Sequence, residues 1–499
     1  MAGFNLAKGV KDWYGKDAIL RNEIRETLRG IFERYGFNPL ETPMIERKDT
    51  IGYKGGGEIQ KEVFQLQDQG KRDLALRFDQ TLPLARFAAT QRDLKLPFKR
   101  YAIGEVFRDG PTQPEQGRYR IFTQCDVDML GIKDMSAEAE LFALADDAFN
   151  ELGLGNVEVK INNRKLLDGV LDHAGVPDFA KLRTIVTLDK MDKIGLEGVR
   201  DSLYELRLSD RPVLSDDQYI KITEAYNSQG MNAIEQMKDE LVSTLSDRGY
   251  QEICSMLRKG DHMQTGSIDN YAGPRLLDDK SVDRLMDVIS DGGGNSETLR
   301  NLEKLIRSDK GKEGLSEVRT LLDYSEKMGI DSVQLDPSLA RGLDYYTGTT
   351  IEVYLNDRDL CRSAILAGGR FDDMVGDFRG GEDIPAVGFS FGLERLAMII
   401  GESRETKKNV TDLYVIPIGG VKDDCLALCS DLRGDGLNVD MEHCGRKVGA
   451  SIQYADQSGI RYVALVGDDE LKQGKLTVKD LTSGVQQTLG RSEVKDYIR

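Results

Sequence analysis

Leu20, Ile24, Leu28, Ile31 and Tyr35 recur at intervals of three and four, the spacing that lines one face of an α-helix. The pattern predicts a helix over 16–36, with Gly36 placed to end it. The period then changes. "FNPLETPMIE" is extended and broken by Pro39 and Pro43, and four short β-like runs follow ("EVFQLQD", "DLALRFD", "KRYAIGEVF", "YRIFTQCDVDML"), with a helix near 81–92 among them. This succession predicts an antiparallel sheet with helices beside it. From about 168 to 325 the chain turns to charged helical patterning around a "DGGGNS" turn and carries no cluster with evident chemistry, which predicts an inserted, mostly helical region. β character returns at "DSVQLDPSLARGLDYYTGTTIEVYL" and runs to Ile400. A polar linker, "GESRETKKNVTD", leads to a last segment ("LYVIPIGG", "YVALVG", "KLTVKDL") that predicts a small α/β domain with parallel strands.

Period two on the fourth run separates its faces. Tyr119, Ile121, Thr123, Cys125, Val127 and Met129 share one side and are apolar enough to be core. Arg118, Arg120, Phe122, Gln124, Asp126 and Asp128 share the other, a gradient of arginines, a ring, an amide and carboxylates. That face could hold a phosphate chain at one end, stack a planar base on Phe122, and seat an ammonium or imidazole at the acidic end. A solvated face laced with ion pairs explains this strand equally well taken alone.

Composition narrows the choice. The 499 residues carry a formal charge of −17, with 39% hydrophobic and 31% charged residues, as expected of a globular chain of several domains. Such acidity argues against coating nucleic acid by bulk charge, while leaving room for a local basic face. No long apolar run predicts a membrane span, and "MAGFNLAKGVKDWYGKD" has no apolar signal core and is read as mature chain. The six cysteines form no Cys-x-x-Cys pair, so no metal site is expected and a reduced, cytoplasmic setting fits best. Cys425 and Cys429 fall on a helical stripe with Leu428 and Leu432, which favours core packing over ligation. The three histidines lie far in sequence from the motifs, which weighs against histidine-based acid/base chemistry.

Three further motifs bear on the anion awaited by Arg108 and Arg118. "LARGLDYYTG" sets Arg341 in a turn of small residues before Tyr345 and Tyr346; a structural turn explains it unaided. "AILAGGRFDD" offers Gly368 and Gly369, which permit close approach of backbone to a ligand. "AVGFSFGLERLAMII" passes from a strand into a helix with Arg395 in its first turn, where phosphate is attracted. Together they predict nucleoside triphosphate binding without a Walker loop, since G-x-x-x-x-G-K-[ST] does not occur.

With these residues in place, the chain resembles the class II aminoacyl-tRNA synthetases, and within them the histidyl-tRNA synthetase family. "GFNPLETPMIE" is similar to motif 1, "FRDGPTQPEQGRYRIFTQCDVD" to motif 2 and "GFSFGLERL" to motif 3. "ARGLDYYTG" and "AGGRFD" resemble the two signatures peculiar to the histidine enzymes, and the tail resembles their anticodon-binding domain.

The resemblance implies an α+β catalytic core with an antiparallel sheet, split into 1–167 and 326–402 by a helical insertion at 168–325, and a C-terminal α/β anticodon-binding domain at 411–499. It implies activation of L-histidine by ATP with Mg²⁺, transfer of histidine to the 3′ end of tRNA(His), and a homodimer formed through motif 1. Arg108 and Arg341 are the implied catalytic residues, Arg108 bridging the histidine carboxylate and the α-phosphate. The implied ATP residues are Glu105 at the adenine edge, Phe122 stacking on the base, and Arg118 and Arg395 on the outer phosphates. The implied histidine residues are Asp79, Thr81 and Gln124 at the α-ammonium, and Asp128, Tyr345 and Tyr346 around the imidazole. Gln80 departs from the Leu or Gly expected there. A non-catalytic paralogue, the regulatory subunit of histidine biosynthesis, is the alternative; such paralogues typically lack the tail or lose arginines of the triphosphate site.

Overall fold

The computed structural model describes residues 4–52, 62–206, 230–238, 276–290, 293–340 and 345–498, with scattered positions between 221 and 254. Its contacts divide the chain into two units, the larger made of Met1–Ile161, Glu317–Gln334 and Leu343–Arg499 and the smaller of Asn162–Ser316 and Leu335–Gly342.

An eight-stranded sheet organises the larger unit. Its order is Asn38–Pro39, Phe98–Phe107, Ile121–Leu130, Ala386–Gly392, Leu366–Arg370, Thr349–Leu355, Val157–Asn163 and Val333–Leu335. The Asn38–Pro39 edge pairs in parallel with Arg100–Tyr101, while the central strands pair antiparallel, as the alternating pattern predicts. Apolar positions of this sheet face the helices Gly15–Arg34 and Ser136–Glu151. Phe391 packs there against Phe32 and Phe149, with ring centroids 6.1 and 5.5 Å apart. The helical stripe read from the sequence is the one that packs: Ile24, Leu28 and Ile31 are fully buried on the first helix, each contributing about 1.5–3 kcal/mol. Tyr35 caps that helix and Gly36, at φ +77°, turns the chain away, in keeping with the predicted stop.

The opposite face of the sheet is covered at one end by the helices Thr81–Thr90 and Asp372–Arg379. They share a core with Leu130, Tyr345 and Tyr346. An arm at the N-terminus lies on the turn between the two hairpin strands: the Gly9 carbonyl accepts from the Arg120 amide at 2.8 Å, and Trp13 meets Tyr119 edge-on at 5.4 Å.

The C-terminal domain departs from its predicted strand arrangement. Val439–Met441, Leu413–Pro417 and Tyr462–Val466 are parallel, but Lys475–Asp480 and Gln486–Gly490 add antiparallel. The connections are short: "DDELKQG" folds into the brief helix Asp468–Gln473 and "LTSGV" into a turn, and both fall below the roughly dozen residues that a parallel crossover needs. Cys425 and Cys429 are buried in this domain's core, as their stripe predicts.

Between Arg164 and Ser316 the described parts of the smaller unit are mostly helical. Asn163 caps the helix Arg164–Ala174 through its side-chain oxygen, and Asp278 does the same for Asp279–Ile289.

Candidate active site

The strand register builds the site. Asn38, Arg100, Asp128, Gly388, Gly369 and Thr350 stand directly opposite one another across six strands, so their side-chain positions share one face. The next row on that face is Ala102, Asp126, Ser390 and Ala367, and the one after it Gly104, Gln124 and Gly392. Val106 and Phe122 follow. The predicted gradient is therefore real, but its acidic end is not a solvated surface: Asp126 and Asp128 are each 3% exposed.

Glycines give this face its depth. A Cβ on Gly388 would collide with Oδ1 of Asp128, and one on Gly104 would collide with the Arg77 guanidinium. On Gly369 it would come within 2.8 Å of the Tyr346 ring, and on Gly368 it would strike the Gly388–Phe389 backbone. The close approach expected at Gly368 and Gly369 is present, and it is to protein atoms. They admit a neighbouring strand and Tyr346, because three strands and an aromatic converge there.

Several polar atoms on this face are buried without a hydrogen-bond partner: Gln124 Oε1, Asp126 Oδ1, Asp128 Oδ2, Thr350 Oγ1, and Nε and Nη1 of Arg100. Burying such groups unpaired is costly, so their gathering on one face marks a surface completed by something polar. Burial drives Asp79, Asp126 and Asp128 above the ordinary carboxylate range. Asp79 pushes the other two further up, while Arg100 draws all three back down.

Asp79 accepts through Oδ1 from the amides of Thr81 and Leu82 at 3.1 and 3.0 Å, which orients its carboxylate at the start of the helix Thr81–Thr90. Gln80, the departure noted in the sequence, reaches the carbonyls of Ala102 and Gln124 at 3.3 and 3.0 Å and pins that helix to the hairpin. Arg108 lies over the Phe78 and Phe122 rings, 4.1 and 5.1 Å from their centroids, and its Nε donates to the Phe78 carbonyl. Tyr345 and Tyr346 pack ring against ring at 4.8 Å, both buried.

At the basic end, Gly117 lies against Arg395, whose Nη1 donates to the Ala364 carbonyl; Arg118 follows directly on Gly117. The Arg118 side chain has no hydrogen-bond or ion-pair partner among the described residues, whereas Arg120 pairs with Asp109 at 3.0 Å. Glu394 holds the two arginine-bearing elements in register: its carboxylate accepts from the Thr123 amide at 2.9 Å and from buried Arg21.

Two expected positions are not part of the face so described. Glu105 pairs with Thr123, not with a member of the polar rows, so strand alternation turns it to the opposite face from Phe122. Arg341 lies outside the described residues. Sequence pattern alone did not single out Arg100, Asp126 as a buried acid, or Thr350. Arg100 had a signal, since in "FKRYAIGEVF" it is the one charged residue in phase with Gly104 and Arg108.

Comparison with known proteins sets this geometry in context. Residues 9–211 and 235–396 match the family described as histidyl-tRNA synthetase, and 412–499 match an anticodon binding domain. A Bacillus cereus protein named histidine--tRNA ligase 1 is 34% identical over 496 residues, covering 98% of each chain. The Clostridium tetani histidine--tRNA ligase is 31% identical, covering 99% of this chain and 98% of its own. The crystal structure of histidyl-tRNA synthetase from Nostoc superposes with a TM-score of 0.74 at 26% identity, covering 100% of this chain and 99% of that one. A Bacillus halodurans structure described as an ATP phosphoribosyltransferase regulatory subunit/histidyl-tRNA synthetase shares the fold, with a TM-score of 0.64 at 21% identity over 93% of this chain and 98% of that one.

Proposed function

The chain belongs to the histidyl-tRNA synthetase family, and from that premise we propose which residues carry its reaction. It joins histidine to the 3′ end of tRNA(His) by way of histidyl-adenylate. The reading rests on one observation: a continuous stripe from Arg395 and Arg118, past Phe122 and Arg108, to Gln124 and Asp128 leaves its buried polar atoms unpaired at the acidic end.

ATP, entering as its magnesium complex, lays its adenine on Phe122 and its outer phosphates between Arg118 and Arg395. Arg108 spans the α-phosphate and the histidine carboxylate. Gln124 Oε1, Asp79 and Thr81 receive the α-ammonium, and Asp128 with Tyr346 receives the imidazole, Tyr345 backing the ring. Arg341 supplies positive charge at the α-phosphate. The histidine carboxylate attacks the α-phosphorus in line, the bond to the bridging oxygen breaks, and pyrophosphate leaves. A ribose hydroxyl of the tRNA terminus then takes the acyl group and adenylate departs. Positioning and charge stabilisation carry the rate, with no side-chain nucleophile.

Residues 1–167 and 326–402 form the catalytic core, 168–325 the insertion and 411–499 the anticodon-binding domain. Motif 1 presents Met44 and Ile45 at 45 and 51% exposure, apolar surface that a second copy would cover in a homodimer. A cytoplasmic setting, where ATP and tRNA are met together, belongs to the same reading. None of the described helices is long and apolar enough to cross a membrane. The fold alone does not separate a synthetase from the regulatory paralogue, but Arg108, Arg118, Arg341 and Arg395 are all retained, with the C-terminal domain. Histidine-dependent exchange of labelled pyrophosphate into ATP, run against the other amino acids, tests the reading; exchange supported by another amino acid, or by none, overturns it.

A further inference from the structure

Arg100 is 1% exposed, among the most deeply buried large side chains of the protein, and it sits directly across the strand pair from Asp128. Its Nη2 stands 2.7 Å from Asp128 Oδ2 and 3.7 Å from Asp126 Oδ2, and also donates to the Gln80 carbonyl at 3.2 Å. The approach to Asp128 lacks the alignment of a hydrogen bond, and Nε and Nη1 have no partner. An arginine placed only to stabilise the fold would be expected to meet a carboxylate in a two-pronged pair, as Arg370 meets Glu138 at 2.8 and 2.7 Å in this same sheet. Arg100 instead stands beside two acids and satisfies neither fully.

The charges around Asp128 explain why a cation is needed there. Asp126 faces it from its own strand, Asp79 from the segment before the helix Thr81–Thr90, and Arg100 from the neighbouring strand. On the far side, Gly388 and Ser390 are uncharged and the Tyr346 ring lies over Gly369. Arg77, which also acts on Asp126, is committed to the Glu105 and Thr42 carbonyls. Arg108 draws Asp79 down more than Arg100 does, but Arg100 acts on all three buried carboxylates and is the one guanidinium among the described residues in ion-pair contact with Asp126 and Asp128. Arg100 stands at Oδ2 without hydrogen-bonding it, and Oδ1 lies against Gly388, in the row that leads on to Gly369 and the Tyr346 ring.

We propose that Arg100 is a positioning residue of the amino-acid pocket: it keeps Asp128 ionised and turned to accept an imidazole N–H, without touching the substrate itself. This rests on the assignment of the pocket to histidine. Arg100 offsets the mutual repulsion of the acids, and because it satisfies neither Asp126 nor Asp128 fully, Asp128 keeps acceptor capacity for the ligand.

Steady-state pyrophosphate exchange by wild type, Arg100→Met and Arg100→Lys, measured from about pH 5.5 to 9, tests this. Arg100→Met is expected to raise KM for histidine about tenfold or more, with KM for ATP within about twofold, and to move the acid limb of kcat/KM for histidine up by about one pH unit. Arg100→Lys, which keeps the charge but not the fork, should show a rise in KM for histidine of only about two- to threefold and a pH limb near that of wild type. If Arg100→Met fails to fold, as judged by its thermal midpoint, the lysine variant decides: a selective rise in KM for histidine supports the proposal, and kinetics identical to wild type would assign Arg100 to the fold alone. Equal rises in both KM values with an unmoved pH profile would likewise overturn it. Wild-type enzyme without histidine-dependent exchange would bring down the pocket assignment and this inference with it.

Discussion

Gly388 and Asp128 face each other across a strand pair, and the carboxylate of the second occupies the space that any side chain on the first would fill. Gly388→Ala therefore has to displace Oδ1 of a buried acid. We expect at least a tenfold rise in KM for histidine with little change in KM for ATP, because a displacement of about 1 Å at a positioning group costs on the order of 10²-fold in rate or binding. Exchange kinetics at varied histidine and ATP check this.

Trp13 is the chain's single tryptophan, and it touches Tyr119, next to Arg118, while Arg21 stacks on its ring 4.1 Å from the centre. Ordering of the Arg118 turn by MgATP should change the Trp13 emission with a saturable titration. Arg118→Ala should weaken that titration about tenfold or more. A flat emission trace in a protein that binds MgATP calorimetrically would show that the turn is already set.

The Arg370–Glu138 pair is 2% and 0% exposed and two-pronged, and Arg370 also bonds the Ile132 carbonyl and Asp372. Glu138→Gln removes the two-pronged partner of a buried guanidinium and leaves it Asp372 alone as counter-charge, so it is expected to destabilise the protein by about 3 kcal/mol. Urea unfolding measures it. Because the Thr347 amide bonds the Arg370 carbonyl, loosening here should also reach the Tyr345–Tyr346 segment.

In the C-terminal domain, Glu442 resists ionisation by its burial, but donors from Arg446, Tyr414 and the Cys444 and Arg446 amides outweigh that and pull it down to about 2. A carboxyl lowered on folding stabilises the native state above its ordinary value near 4.5 and loses that contribution as pH falls towards 2. Glu442→Gln should remove up to about 3 kcal/mol at neutral pH and make stability flatter between about pH 5 and 2. Unfolding midpoints across that range check the sign.

The helices and strands around the site were legible because their apolar periods are strong: Ile24, Leu28 and Ile31 announce one, and Cys125, Val127 and Met129 the other. The polar face of the hairpin was legible for the same reason. Its depth was not, since nothing in "QCDVDML" says that Asp126 and Asp128 are buried. That follows from Gly388 and Ser390 standing opposite Asp128 and Asp126 from far along the chain, a long-range register that local pattern does not carry. Glu105 entered only through the resemblance, and the strand phase that sets it opposite Thr123, on the face away from Phe122, comes from the pairing register. The antiparallel end of the last domain turned on connection length, not on strand character.

The glycine floor has a practical corollary for redesign. Positions 104, 369 and 388 already carry the smallest residue available, so no trimming there enlarges the cup for bulkier histidine analogues. Room must come from the roof, above all from Tyr346 and the helix that begins at Thr81, while the floor offers only ways to make the cup shallower.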